Sequence, residues 1–510
     1  MYKRRDVLKL GVAGLAGAVA TGGAAAQEAT PTPPFDPARV VDAARALAAK
    51  PFKAPNADLP DAFANLTLEQ YAAIQNRPSA LLWAAENLGF VIDPLHRGYL
   101  YAAPIRLNVI EGGVARRLVY AASDFDFGPL KPPADIKDIG FSGFRVLINP
   151  PGGELAPVAI FQGASFYRAI AQGQAFGMRA RGLALKVADP KGEEIPIFRE
   201  AWIEQPTLAQ GALVVHALLD SESVAGAYRF TLRAGDATII DTECTLFARV
   251  AVDNIGVAPM AATYLAGPLD RRRIDDVRPS VHEANGLQIL NGRDEWIWRP
   301  VSNRETLQTS AFVDSNPRGF GFLQRDREFA RYMDDDNHWE NRPSLWVEPI
   351  GDWGAGAVTL IEVPSDSDVN QNMLAYWRPN VGLAAGSETA FAYRQFWCWS
   401  PPASPPLAKV TQSRGGKTPG GGPNGKRRRF LVEFRGDILP RDDQSPEITA
   451  NVGAGPGAIV ATRKITSADG KTCRVLFDLD PGAEPLCEMR VYLESGGKRL
   501  SEIWLYRWTP

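Results

Sequence analysis

The stretch "ATIIDTECTLFARVAV" (residues 237–252) alternates in character, with Ile240, Cys244 and Leu246 on one side and Asp241, Glu243 and Thr245 on the other. Successive side chains of a strand point to opposite faces, so this period of two predicts a half-buried β-strand. Related patterns occur in "RLNVIEG" (106–112), "FRVLINP" (144–150), "GALVVHALLD" (211–220) and "YRFTLRAG" (228–235). With 47 glycines and 40 prolines the chain is punctuated throughout, which predicts many short antiparallel strands in a sandwich or barrel. Helical periodicity is confined to "DPARVVDAARALAAK" (36–50), "TLEQYAAIQ" (67–75), "ASFYRAIAQG" (164–173) and "DREFARYMDD" (326–335). No residue-level repeat recurs at a fixed period, which argues against a propeller.

Composition shifts abruptly at "SPPASPPLAKVTQSRGGKTPGGGPNGKRRR" (400–429), where proline, glycine and basic residues exclude a core. The reading is an all-β chain of two domains: a large β-sandwich near 30–400, a linker or exposed loop over 401–427, and a smaller sandwich of immunoglobulin-like size over 428–510. Four cysteines in 510 residues are too few for a disulfide scaffold. Cys473 and Cys487 lie on two strand-like runs joined by "PGAEP", where they would face each other across a hairpin, either bridged or as buried thiols.

At the N-terminus, "KRRDVLKLGVAGLAGAVATGGAAAQ" (3–27) sets Arg4 and Arg5 before a short, glycine-rich apolar run and a small-residue site. This predicts a twin-arginine export signal over residues 1–26 and a periplasmic destination. The signal carries four basic residues and one acid, so its removal takes the formal charge from -2 to about -5. A mildly acidic chain is a poor nucleic-acid binder.

Eight of the twelve tryptophans fall between Trp296 and Trp399, among many Arg, Asp, Glu and Asn. Sugars present C–H faces edged with hydroxyls, and their sites combine aromatic platforms with forked polar groups. The stretch "HWENRPSLWVEP" (338–349) has that composition, and the region is expected to form a groove for an oligosaccharide. Glycoside cleavage needs one carboxyl as acid and one as base or nucleophile. Candidates are Glu283, Asp334, Asp335, Asp336, Glu340, Glu348, Asp366 and Asp368. The acidic loops lack the glycine of a calcium-binding turn, and the four histidines are too dispersed to form a ligand pair, so no metal and no cofactor are expected.

With these segments in view, the chain resembles the periplasmic glucan biosynthesis proteins G and D. The resemblance is carried by "GYLYAAPIRLNVIEGG" (98–113), "ASDFDFG" (122–128), "GFSGFRVLINP" (140–150), "DRRRIDDVRPSVHEANGL" (270–287) and "RPSLWVEPIGDWGAGAVTLIEVP" (342–364). It implies a galactose-mutarotase-like large sandwich, a C-terminal immunoglobulin-like domain, and a β-1,2-linked glucan as substrate. It further implies either hydrolysis or transglycosylation of that glucan, or a non-catalytic scaffold that assists its release or branching beside a membrane-bound glucan synthase. The family's base-side carboxylate is matched by Glu283 in "RPSVHE". Its acid, in a "DN" pair, is matched by Gln371 followed by Asn372, and an amide cannot supply a proton near neutrality. Either Asp368 or Asp366 of the same loop substitutes as the acid, or this member binds glucan without cleaving it efficiently. Trp346, Trp353 and Tyr393 are the expected platforms, and Arg278, His282, Arg325 and Glu348 the expected hydroxyl contacts.

Overall fold

The computed structural model describes residues 33–133, 136–149, 153–270, 275–421, 425–440 and 447–510; the export signal expected over 1–26 lies outside them. Residues 213–248 form three consecutive antiparallel strands, Leu213–Asp220, Val224–Arg233 and Ala237–Ala248, with Ala217 opposite Tyr228 and Tyr228 opposite Cys244. Leu213–Asp220 is buried along its whole length. Helix Ala38–Ala48 explains why, since its Val40 and Ala44 pack on Leu218, Ala227 and Phe247 and cover the outer face. A strand covered on both faces reads as continuously apolar, as "ALVVHALL" does.

Among the described residues these strands belong to a fifteen-stranded sheet, which continues through Glu388–Cys398, Ser344–Ile350, Gly319–Leu323 and Gly286–Leu290. A ten-stranded sheet faces it, containing the consecutive neighbours Ala156–Gln162, Phe166–Ala169, Arg179–Arg181, Ile255–Ala262 and Met373–Pro379. The core between them is aromatic, with Phe161 stacked on Tyr167 at 5.2 Å and both rings edge-on to Phe230. Burying each such ring stabilises the fold by roughly 1.5–3 kcal/mol. The Tyr167 hydroxyl donates to Gln395 Oε1 at 2.8 Å, so its polar end is satisfied across the core. The molecule is an all-β sandwich.

Residues 409–510 add a smaller sandwich. Its four-stranded sheet consists of Lys409–Lys417, Arg428–Arg435, Thr472–Asp480 and Ala458–Thr466. The sheet facing it, Thr449–Gly455, Cys487–Ser495 and Ile503–Trp508, is continuous with the fifteen-stranded sheet, because Ile503 and Trp504 pair in parallel with Ile297 and Trp298.

Three local expectations change. Lys409–Lys417, inside the stretch read as linker, is an edge strand paired with Arg428–Arg435. A glycine-rich basic composition is excluded from a core but not from an edge strand with one face in solvent. Within "ASFYRAIAQG", Phe166–Ala169 is a strand rather than a helix, because Tyr167 and Ala169 turn into the core while neighbours on both sides supply hydrogen bonds. The hairpin expected to juxtapose Cys473 and Cys487 is absent: their strands lie in opposite sheets of the small sandwich, and both residues are buried in the core between them.

Candidate functional site

Glu283 follows the two-residue strand Val281–His282, which pairs with Tyr264–Ala266. Its backbone N–H donates to Thr263 O at 2.8 Å, and its Oε2 accepts the Thr263 N–H at 2.9 Å, so backbone and side chain grip one residue. Gln371 Nε2 donates to the same Oε2 at 3.0 Å and to Gly177 O at 3.2 Å. Asn372 fixes this placement, because its amide accepts from Tyr264 N at 2.8 Å and donates to Tyr264 O and Val363 O, both at 3.0 Å. With three of its hydrogen-bonding positions filled by main chain, Asn372 locks the loop that presents Gln371.

The structure therefore brings Glu283 and Gln371 into direct contact. An inverting pair of carboxyls stands roughly 6.5–9.5 Å apart so that water fits beside the sugar. Here the amide occupies the space beside the carboxylate. Burial pushes the Glu283 carboxyl above its ordinary range, opposed by the Thr263 hydrogen bond and the positive charges of Arg342 and Arg168.

The arginines come from strand geometry. Phe166 pairs with Arg181 and Tyr167 with Ala180, and one further step along this register sets Arg168 opposite Arg179. Tyr167 and Ala180 point into the core, so Phe166, Arg168, Arg179 and Arg181 share the other face. The Arg179 guanidinium lies over the Phe166 ring at 4.5 Å, and Arg181 pairs with Glu193 at 2.6 Å. Phe166, Arg179, Arg181, Asn370 and Gln371 line a solvent-open groove of about 390 Å³. Ala261 lies opposite Arg179 on one side and Leu374 on the other, a small residue that deepens the floor. Arg342 closes in from beyond Gly177, where an added Cβ would approach its Cδ to 3.0 Å. Burial, with Arg168 nearby, lowers the Arg179 and Arg342 guanidiniums below their ordinary value.

The other expected site residues are engaged differently. Arg278 binds Asp276 at 2.7 Å, Asp334 at 2.8 Å and Asp368 at 2.9 Å. Asp334, which also accepts the Trp339 indole N–H at 2.7 Å, is held well below the usual carboxylate range by Arg278, Asn337 and Trp339 against the opposing effect of burial. Asp368, the expected substitute acid, is thus an acceptor within an ion-pair network, and Asp366 of the same loop is exposed. His282 is buried, stacked on Tyr264 at 5.5 Å and hydrogen-bonded to Gln324 at 3.1 Å; burial pushes it down to about 4 and keeps it neutral. Arg325 grips Glu502 at 2.7 and 2.9 Å, donates to Val410 O and lies 3.6 Å over the Trp298 ring. It fastens the large sandwich to the C-terminal strands.

The expected platforms require correction. Trp346 is fully buried against Gly319, where a Cβ would come within 2.2 Å of the indole, and it donates to Glu348 at 3.1 Å. Glu348 is thereby occupied by an internal partner. Trp353 and Tyr393 are core residues that meet edge to face at 6.1 Å. Trp346 and Tyr393 offer no open ring face to a ligand, and Trp353 borders a separate pocket with Ile350 and Phe391 that includes neither Glu283 nor Gln371. The tryptophan density of 296–399 reflects core packing; of its eight indoles only Trp399 is exposed, at 37%. Trp399 donates to Gln172 O at 3.1 Å and has the Arg327 guanidinium at 5.0 Å from its ring. It lies at the start of the loop, residues 170–178, that carries Gly177 to Gln371. The sequence reading missed Arg168, Arg179, Arg342 and Trp399. The alternation of arginine in "RAR" (179–181) was the available signal for the second.

Comparison with known proteins agrees with the resemblance. Residues 35–508 match the family described as "Periplasmic glucan biosynthesis protein, MdoG". The chain is 41% identical over 479 residues to glucans biosynthesis protein G of Vibrio cholerae serotype O1, covering 93% of this chain and 87% of that one. It is 42% identical to the protein of the same name from Rhodopseudomonas palustris, covering 93% of each. A Shewanella relative of that name is 41% identical over 94% of this chain and 88% of its own. At this extent and identity the chain belongs to the periplasmic glucan biosynthesis protein family.

Proposed function

We propose that this protein, after twin-arginine export, acts in periplasmic glucan biosynthesis by holding a β-1,2-linked glucan backbone in the groove beside Gln371 and Glu283. It does so chiefly as a binding scaffold for glucan delivered from a membrane-bound synthase. The observation that carries this reading is the 3.0 Å hydrogen bond from the Gln371 amide to the Glu283 carboxylate. Hydrolysis needs a proton for the leaving oxygen, and an amide already donating to its neighbouring carboxylate supplies none. Asp368 is tied to Arg278 and is a poor replacement. The exposed Trp399, rather than Trp346, is the candidate platform in this reading.

A second reading, slow hydrolysis or transglycosylation, draws support from Glu283 itself. A carboxyl whose pKa is raised by burial retains a proton more readily, and Glu283 is such a group. The experiment that tests the scaffold is incubation of the mature protein with linear β-1,2-glucan, with products resolved by size. The expected result is binding with little shortening. In Gln371→Asp the side chain is one methylene shorter, which opens space for a water beside Glu283 and supplies a group that can carry a proton. Cleavage should then rise by roughly 100-fold or more, and Glu283→Gln should remove the gain. Rapid cleavage by the wild type that Asp368→Asn eliminates would overturn the scaffold and make Asp368 the acid.

A further inference from the structure

The two ends of the ten-stranded sheet are finished differently. At one end the strand Phe90–Leu95 is closed: Leu82 and Ile92 exchange N–H···O bonds of 2.9 and 3.2 Å, Asn76 donates to Pro94 O, and Pro94 has no N–H to offer. At the other end Gln308–Ser315 pairs with Ala355–Glu362 through eight consecutive positions without a bulge, and among the described residues no strand lies beyond it. Thr309 O accepts from Arg507 Nη1 at 2.8 Å, so the backbone polar groups of Thr309 point away from the sheet. By strand alternation those of Ala311 and Val313 do the same. The strand, "QTSAFVDS", lacks the proline, lysine or bulge that ordinarily guards an edge, and Val313 is 83% exposed. Its one charge, Asp314, is engaged by the N–H groups of Gly292 and Ser315.

Beside this edge lies a second groove, of about 410 Å³, whose floor comes from the C-terminal strands. Register sets Gly453, Arg490 and Leu505 in one row and Gly455, Glu488 and Arg507 in the next, all on one face. A Cβ added at Gly453 or Gly455 would meet nothing within 4 Å, so the floor is open above both. Phe312 and Leu505 flank the groove and are only partly buried, so the apolar core reaches this edge without a cover. Glu488 and Arg507 neutralise each other at 2.6 Å, whereas Arg490 has its nearest carboxylate among the described residues, Glu295, at 3.8 Å. Outward N–H and C=O groups, an apolar flank and a loosely paired cation together match one kind of occupant. We propose that the groove takes an extended segment of a partner protein, which adds as an eleventh strand alongside Gln308–Ser315. Its backbone pairs with Ala311 and Val313, an apolar side chain covers Phe312 and Leu505, and an acidic one meets Arg490. The strands carrying Arg490 and Gly453 continue outward past Arg507, a ledge that suits one added strand and stands in the way of a second copy's sheet.

Selection of a phage-displayed random dodecapeptide library on the full mature protein, followed by fluorescence anisotropy of the recovered peptides, tests the inference. Ala311→Pro removes one outward N–H at a position where an edge strand tolerates proline. Gly453→Leu fills the floor without touching the edge. Each variant should keep the wild-type urea midpoint and bind the recovered peptides at least 10-fold more weakly, and the peptides should alternate apolar residues with polar ones and include an acid. Should Ala311→Pro fail to fold, Gly453→Leu carries the test. Recovery of no binding peptide would overturn the inference, and so would peptides that bind wild type and variants equally, since they dock elsewhere. Self-association of the wild type in sedimentation velocity, abolished by the variants, would assign the edge to a second copy and overturn the partner strand as well.

Discussion

Two groups of arginines flank the candidate site, and they differ in what surrounds them. Arg278 is saturated: three aspartates bind it within 2.9 Å, and one of them, Asp334, also takes an indole and an asparagine amide. Arg168 and Arg179 face each other without such partners, and part of the Arg179 guanidinium is buried with no protein acceptor. Removing one member of a charge set matched inside the protein strands the others, whereas a guanidinium with no protein carboxylate beside it leaves no such partner behind. The sequence reading gave the hydroxyl-binding role to Arg278 and overlooked the other pair, because abundance of arginine and carboxylate in one stretch does not reveal which groups neutralise each other.

The sharpest way to break this contrast is to disturb the saturated side, where the damage should fall on stability. Trp346→Ala empties a fully buried site and should cost about 3–5 kcal/mol of folding free energy, measured by urea denaturation. Folded protein of this variant should keep its glucan affinity; a selective loss of affinity with unchanged stability would return Trp346 to the site. Arg278→Ala should come next, at about 3 kcal/mol, because it strands Asp334, whose side chain is 5% exposed.

Acid should act on the same side of the molecule. The Asp334 pKa is depressed in the folded state, so its contribution is complete above the ordinary carboxylate value of about 4 and is lost as pH falls below it. Asp334→Asn should flatten that part of the acid denaturation curve. His282 acts at higher pH. Its folded pKa of about 4 lies below the ordinary value of about 6.5, so the unfolded chain binds more protons between these limits. Stability should decline from pH 6.5 toward 4, and urea midpoints at pH 7 and pH 5 should converge in His282→Gln. His96, also pushed down to about 4 by burial, contributes in the same direction and will leave a residual slope.

The smallest effect belongs to the open side. Trp399→Ala should lower stability by about 1 kcal/mol, through the lost contacts to Gln172 O and Arg327, and weaken glucan binding by about 1 kcal/mol, measured by calorimetry. A large loss of stability with unchanged affinity would make Trp399 another packing residue and leave the groove without its proposed platform.

Much of the architecture was legible along the chain because it is written in short-range patterns. The alternation in 237–252 became the strand Ala237–Ala248, and "DPARVVDAARALAAK" became the helix Ala38–Ala48. The resemblance assigned Glu283 and Gln371 to the family's base and acid positions, but their direct contact could not be read from it, because it depends on how the 361–373 loop folds back onto Thr263 and Tyr264. Where two periodicities compete, as in "ASFYRAIAQG", the neighbouring strands decided the outcome by offering backbone partners on both sides.

What the sequence by itself determined was an all-β chain with the family's motifs, because strand alternation and motif identity are local properties that survive without knowledge of neighbours. Which tryptophan is wall and which is surface, and which arginine is neutralised and which left open, only the tertiary structure decided. Trp346 is core because Gly319 leaves room for its ring on the adjacent strand, and Arg168 meets Arg179 because two strands pair in one register. Burial and charge balance are properties of neighbours in space, and those neighbours lie far apart along the chain or in a pairing that composition does not encode.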